Sequence, residues 1–244
     1  MSGSGTLRSD LERPARLLVV VAHPDDADFG LAGSVARWVT EGTVTQLVCC
    51  TSGDGTGDDP ATDPLDLAAR REQEQRAAAA IVGYEGVTFL HRPDGALAND
   101  LALREQLVRL IRTFRPDAVA TCDPRVLIHP WGMVNHVDHR EAGAAALDAV
   151  YPAAGNAMAF PHLTRSEGLA PHDVGRLLLF WSERPTHAVD ISDTLEHKSR
   201  ALQAHTGRHT QAADLDERVR AWARRDGAAA GHEAGEAVAL IELV

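Results

Sequence analysis

The sequence predicts an α/β fold: Rossmann-like, mostly parallel in its sheet, with helices on both faces and a single domain. Three observations carry this. Short apolar runs rich in valine and leucine alternate with longer segments of helical spacing. The runs lack polar alternation, as strands buried on both faces do. Acids and histidines gather just after the first and fourth runs, where an open α/β sheet places its ligand crevice.

The elements follow in order. Residues 1–14 carry Gly, Ser and scattered charge and read as a mobile lead-in, with one domain over 15–244. Leu17 to Ala22 is the first strand, ended by His23-Pro24 because proline cannot donate to a ladder. A helix from about Phe29 to Glu41 places Leu31, Val35, Trp38 and Val39 on one face, and Gly42 stops it. Thr43 to Thr51 is a second buried strand. The glycine-rich loop after it, Ser52 to Pro60, is not a dinucleotide fingerprint. Its third glycine is misplaced, and Pro60 and Pro64 precede any helix. Leu67 to Val82 is helical, Val87 to Leu90 a short strand, and Arg92-Pro93-Asp94-Gly95 a turn.

Leu101 to Phe114 is amphipathic and ends before Pro116, and Ala118 to Cys122 is the fourth strand. The loop holding His129-Pro130-Trp131-Gly132 then leads to a helix with Asn135 as its expected N-cap, running to Val150. Tyr151 to Asp173 is a long excursion without a clear period. Strands are expected at Leu177–Trp181 and Ala188–Ile191. Helices are expected from Ser192 to His205 and from Leu215 to Arg225. A linker, Ala228 to Gly235, precedes a final apolar segment.

Composition narrows the function. Against 24 Lys plus Arg stand 35 Asp plus Glu, a net charge of −11. A nucleic-acid partner, which needs a basic footprint, is thereby disfavoured. Cys49 and Cys50 are adjacent on a strand and point to opposite faces. With Cys122 they read as buried thiols of a reducing compartment. The N-terminus lacks the apolar core of a signal peptide, and no apolar run is long enough to span a bilayer. A cytoplasmic protein is expected.

The chemistry concentrates in two places. His23-Pro24-Asp25-Asp26-Ala27-Asp28 crowds three carboxylates and an imidazole at a strand's end, which is costly unless a cation sits among them. A helix cap accounts for one of these acids and leaves the others unexplained. His23 and Asp26 are ligand types suited to zinc. The second place is Asn135-His136-Val137-Asp138-His139-Arg140. Histidines three apart share one helical face, so His136 and His139 can both point at one site.

Together these two stretches resemble the motifs of the LmbE-like, or PIG-L-type, zinc-dependent N-acetylglucosaminyl deacetylases. Arg71-x-x-Glu74 with the alanine run to Gly83, and Phe180-Trp181 to His205, resemble further segments of that family. The resemblance spans roughly residues 16–205. It departs at Asp28, where the family more often has Glu, and at Val137, where it more often has Pro.

The resemblance implies Zn²⁺ held by His23, Asp26 and His139, in preference to His136. It implies removal of an N-acetyl group from a GlcNAc-like glycoside or sugar conjugate, with Arg71 and Asp94 near the substrate. A homo-oligomer is expected. Three protein ligands leave a fourth position for water, the pattern of catalytic zinc. Asp25, beside a ligand, reads as the general base. His136 reads as the protonated donor to the oxyanion and the leaving amine, its ring held by Asp138. Two alternatives stand beside this: a nucleotide- or sugar-binding protein without chemistry, and a metal-dependent hydrolase of another bond.

Overall fold

A computed structural model describes residues 6–57, 59–129, 132–206 and 214–243. The strands are β1 (Arg16–Val21), β2 (Val44–Thr51), β3 (Gly86–Arg92), β4 (Ala118–Cys122), β5 (Arg176–Phe180), β6 (His187–Asp190) and β7 (Gly235–Glu242). They form a single sheet in the order β3-β2-β1-β4-β5-β7-β6. β1 to β5 run parallel, whereas β7 runs antiparallel to both β5 and β6. The α/β fold is as the sequence predicts.

The helices are α1 (Asp26–Thr40), α2 (Pro64–Val82), α3 (Leu101–Phe114), α4 (Val137–Asp148), α5 (Pro161–Arg165), α6 (Leu195–Gln203) and α7 (Leu215–Ala228). β1 shows why both faces of the sheet are covered. Leu17, Val19 and Val21 pack with Leu31, Val35 and Trp38 of α1. Leu18, Val20 and Ala22 face the other way, onto Leu103, Leu107 and Ile111 of α3 and Ala142 and Ala145 of α4. Cys49 and Cys50 divide between the same two clusters, as their alternation requires, and all three cysteines are buried and free.

Close approach of helix to strand positions the site. A Cβ on Gly143 would lie 2.4 Å from the Cys122 carbonyl oxygen, so only glycine lets α4 settle on the end of β4. His139 stands one turn earlier on that helix. Since β1 and β4 are neighbours where the strand order reverses, the loop after β1 and the start of α4 meet in one crevice.

Three expectations need correcting. Within the supposed lead-in, Leu7 N–H donates to Ala229 O (2.8 Å) and Arg8 N–H to Thr186 O (3.0 Å), adding to the β6 edge. The excursion after α4 contains a π-helical turn, Ala149–Ala154, kinked at Tyr151, and then α5. The buried Arg112 side chain holds this segment by donating to the carbonyls of Ala153, Ala154, Asn156 and Ala159, which a periodicity search does not register. Third, α7 runs through Ala228, three residues past the expected end. Among the described residues, no helix is long and apolar enough to cross a membrane.

Candidate metal centre and active site

His23, Asp26 and His139 each bring a ligand atom to within 4.8 Å of the others. His139 Nε2 lies 3.1 Å from Asp26 Oδ1, and His23 Nδ1 lies 3.5 Å from Asp26 Oδ2. The carboxylate is thus flanked by an imidazole on each side. Its Oδ2 also accepts the His23 backbone N–H at 2.9 Å, which fixes its orientation within the first turn of α1.

The far nitrogens of both rings are occupied. His23 Nε2 sits 3.0 Å from Asp94 Oδ1 and 3.1 Å from Asp138 Oδ2. A nitrogen between two carboxylate oxygens keeps its proton, so Nδ1 is the nitrogen available to a cation. His139 Nδ1 lies 3.0 Å from Asn135 Oδ1, while Asn135 Nδ2 donates to Val126 O at 2.9 Å and so fixes the amide's orientation. His139 therefore presents Nε2. Two imidazoles and one carboxylate, each held from behind, suit zinc with an open fourth position.

A second grouping, His23, His136 and Asp138, also brings its atoms within 4.8 Å. It is the poorer cation site. His136 Nδ1 already accepts the Asp138 N–H (3.2 Å), and Asp138 already accepts the N–H groups of Gly95 (2.7 Å) and Leu97 (3.1 Å).

The electrostatics agree with a site built for positive charge. Burial opposes protonation of His23, yet Asp26, Asp138 and Asp94 together push it up to about 12. Burial likewise opposes ionisation of Asp26, but His139 and His23 hold it well below the usual carboxylate range. A divalent cation would exploit the same negative field.

Asp25, the residue before α1, has φ +94° and ψ −27°. A non-glycine residue in that region is strained and persists only where its surroundings impose it. Arg71 Nη2 donates to Pro24 O at 2.8 Å and to Asp25 Oδ2 at 3.4 Å, and Nη1 donates to Gly53 O at 2.9 Å. Gly53 is required here, since a Cβ on it would lie 2.0 Å from Arg71 Nη1. The loop after β2 thus shapes the cleft floor through a buried arginine.

Several expected roles change. Arg71, expected at the substrate, is buried and donates to Pro24 O, Asp25 Oδ2 and Gly53 O. Asp94, also expected at the substrate, is turned onto His23, and its Oδ2 accepts from Gly55 N–H (2.9 Å) and Thr56 Oγ1 (3.2 Å). Asp138, expected behind His136, holds His23. The N-cap of α4 is His136, and the expected cap Asn135 orients His139 instead. His136 Nδ1 accepts the Asp138 backbone N–H, which leaves Nε2 as the nitrogen that can carry a donor proton. Burial, with His23 and His139 nearby, lowers its pKa against the pull of Asp138 and Asp94.

Trp181, at φ +55°, places its ring 5.2 Å from His139 and 6.4 Å from His129 and forms one wall. Pro130 and Trp131 of the expected rim lie outside the described residues. Sequence reasoning missed Asn135 as the partner of His139 and Gln75 behind Asp25. An amide three or four residues before a candidate histidine was the available signal for the first.

The sequence matches the family described as GlcNAc-PI de-N-acetylase, PIG-L, over residues 18–150. It is 31% identical over 193 residues to diacetylchitobiose deacetylase of Thermococcus kodakarensis, covering 78% of this chain and 68% of that one. It is 29% identical over 247 residues to 1D-myo-inositol 2-acetamido-2-deoxy-alpha-D-glucopyranoside deacetylase of Rhodococcus erythropolis, covering 81% and 82%. Among solved structures, N,N'-diacetylchitobiose deacetylase from Pyrococcus horikoshii superposes with a TM-score of 0.85 at 25% identity, over 94% of this chain and 84% of that one. A 4-carboxy-2-hydroxymuconate hydratase from Pseudomonas putida shares the fold, with a TM-score of 0.74 at 21% identity over 94% and 96%.

Proposed function

The chain belongs to the PIG-L family of de-N-acetylases, and from that premise we propose that it is a metal-dependent N-deacetylase of GlcNAc-like sugar conjugates. The two curated deacetylases named above act, by their names, on acetylated amino sugars with different aglycones. The class carried over is therefore the 2-acetamido sugar, and the aglycone is left open.

One observation carries the reading. His23, Asp26 and His139 converge with their outer nitrogens anchored, beside a strained Asp25, at the reversal point of the sheet. The residues assigned to hold zinc are His23, Asp26 and His139. Zinc there would polarise the acetamide carbonyl and lower the pKa of the attacking water.

The remaining roles fall to the chain. Asp25 accepts a proton from the water whose oxygen bonds to the carbonyl carbon, with Arg71 fixing its carboxylate. His136 donates its Nε2–H to the carbonyl oxygen as negative charge develops on it. The C–N bond then breaks, and the proton taken by Asp25 passes to the leaving amine. Acetate and a free amino sugar result. Asp94 and Asp138 hold His23, and Asn135 holds His139.

Acetate release from a panel of N-acetylated glycosides tests this, comparing zinc-loaded with chelator-treated protein. Zinc-dependent release supports the proposal. Equal release after chelation, or none from any 2-acetamido sugar, overturns it.

A further inference from the structure

Resting on the assignment of Asp25 as base, we propose that Gln75 is a positioning residue that holds Asp25 in its left-handed conformation, and that Asp28 serves to hold Gln75. Gln75, on α2, is fully buried. Its Oε1 accepts the Asp25 backbone N–H at 2.7 Å, and its Nε2 donates to Asp28 Oδ2 at 2.9 Å. The amide's orientation is fixed, since an N–H can meet only the oxygen and a carboxylate only the NH₂. Asp28 is itself fully buried, and the same Oδ2 lies 2.8 Å from His205 Nε2, just beyond α6.

A chain of hydrogen bonds therefore runs from His205 through Asp28 and Gln75 to the main chain of Asp25. It joins α1, α2 and the end of α6 behind one strained residue. Two clamps act on Asp25 from different sides, Arg71 on its carboxylate and Gln75 on its backbone. The conformation at φ +94° needs such over-determination, because the strain would otherwise relax. Relaxation would swing the carboxylate relative to the water it activates. A misplacement of about 1 Å at a reacting group costs up to about 10²-fold in rate. Asp28, whose place in the motif capping does not account for, gains a role here: a carboxylate in the first turn of α1 that locks the glutamine.

The test uses the zinc-loaded protein and acetate release. Gln75→Met keeps length and removes both hydrogen bonds. Gln75→Asn, one methylene shorter, cannot span Asp25 and Asp28 and keeps the proposal testable should the Met variant not fold. Each is expected to retain one zinc and a near-normal KM while kcat falls by about 10- to 100-fold. In an Asp25→Asn background, Gln75→Met should lower residual turnover no further, because a group acting through Asp25 has nothing left to position. A folded variant with wild-type kcat overturns the proposal. So does a kcat loss that tracks zinc loss, or one that adds in full to that of Asp25→Asn. Should Asp25→Asn alone retain full turnover, the base assignment fails instead.

Discussion

His23 Nε2 lies 3.1 Å from Asp138 Oδ2, which ties the loop after β1 to the first turn of α4 across 115 positions. Asp138 is wholly buried and takes two further N–H groups, from Gly95 and Leu97. It is thus at once the orienter of a proposed ligand and the acceptor that fixes the turn after β3. That turn carries Asp94, the second carboxylate on the same imidazole.

Asp138→Asn should weaken zinc binding by about 10- to 100-fold, as loss of a carboxylate behind a ligating imidazole does. Competition with a chelator of known affinity measures this. Asp138→Ala should also destabilise the fold, by about 1–3 kcal/mol for each buried donor left unpaired. Wild-type zinc affinity in the Asn variant would remove Asp138 from the support of His23.

Adjacent carboxylates should separate cleanly. Asp26→Ala is expected to lose the metal. Asp25→Ala is expected to keep it and to lose about 10²-fold or more in kcat. Elemental analysis of both variants, alongside a wild type expected to hold one zinc per chain, decides the matter. Iron in place of zinc would leave the assignment intact, since geometry and availability decide occupancy. Two variants with normal metal content would mean that Asp26 is not a ligand and that the two carboxylates are wrongly assigned.

The legible part of this site is the part written locally. His23, Asp25 and Asp26 fall within one turn of chain, and His136 and His139 within one turn of helix, so spacing alone brings them forward. The valine-rich β1 and the placement of both motifs at strand ends gave the crevice through a topological rule. Partnerships across the fold were not legible. Asp94 and Asp138 converge on His23 Nε2 from two different segments, and no spacing links Gln75 to Asp25. Arg71 was noticed as a conspicuous charge, but only its burial against Pro24 O and Gly53 O shows what its donors are spent on. The π-helical turn at Ala149–Ala154 escaped because Pro152 reads as a breaker.

Stability should depend on His205. Burial lowers its pKa, but the hydrogen bond to Asp28 and the charges of Asp28, Asp25 and Glu74 together outweigh this, and the net shift is upward from 6.5. A raised folded-state value means that the stabilisation is fully present below about 6.5 and is lost as pH rises through the folded value. The difference in melting temperature between wild type and His205→Gln should accordingly be largest in mild acid and shrink toward alkaline pH. A difference that grows with pH would reverse the sign and discard the ion pair with Asp28.

His136 has two jobs that one substitution would confound. Its Nδ1 caps α4 by accepting the Asp138 N–H, and its Nε2–H is the proposed donor to the substrate carbonyl. Its ring centroid stands 4.9 Å from that of His23 and 5.6 Å from that of His139, close enough to be mistaken for a ligand. Alanine removes both functions, with about 1 kcal/mol lost for the cap. Asparagine restores a capping acceptor, being among the best N-cap residues, but does not carry a donor out to the position of Nε2. His136→Asn should therefore melt near wild type, hold its full zinc and lower kcat by about 10²–10³, the range for loss of an oxyanion donor. His136→Ala should show the same kcat with a lower melting temperature. Zinc loss in the Asn variant comparable to that of His139→Ala would make His136 a ligand, and the donor would then have to be sought at His129, whose ring stacks edge-on to Trp181.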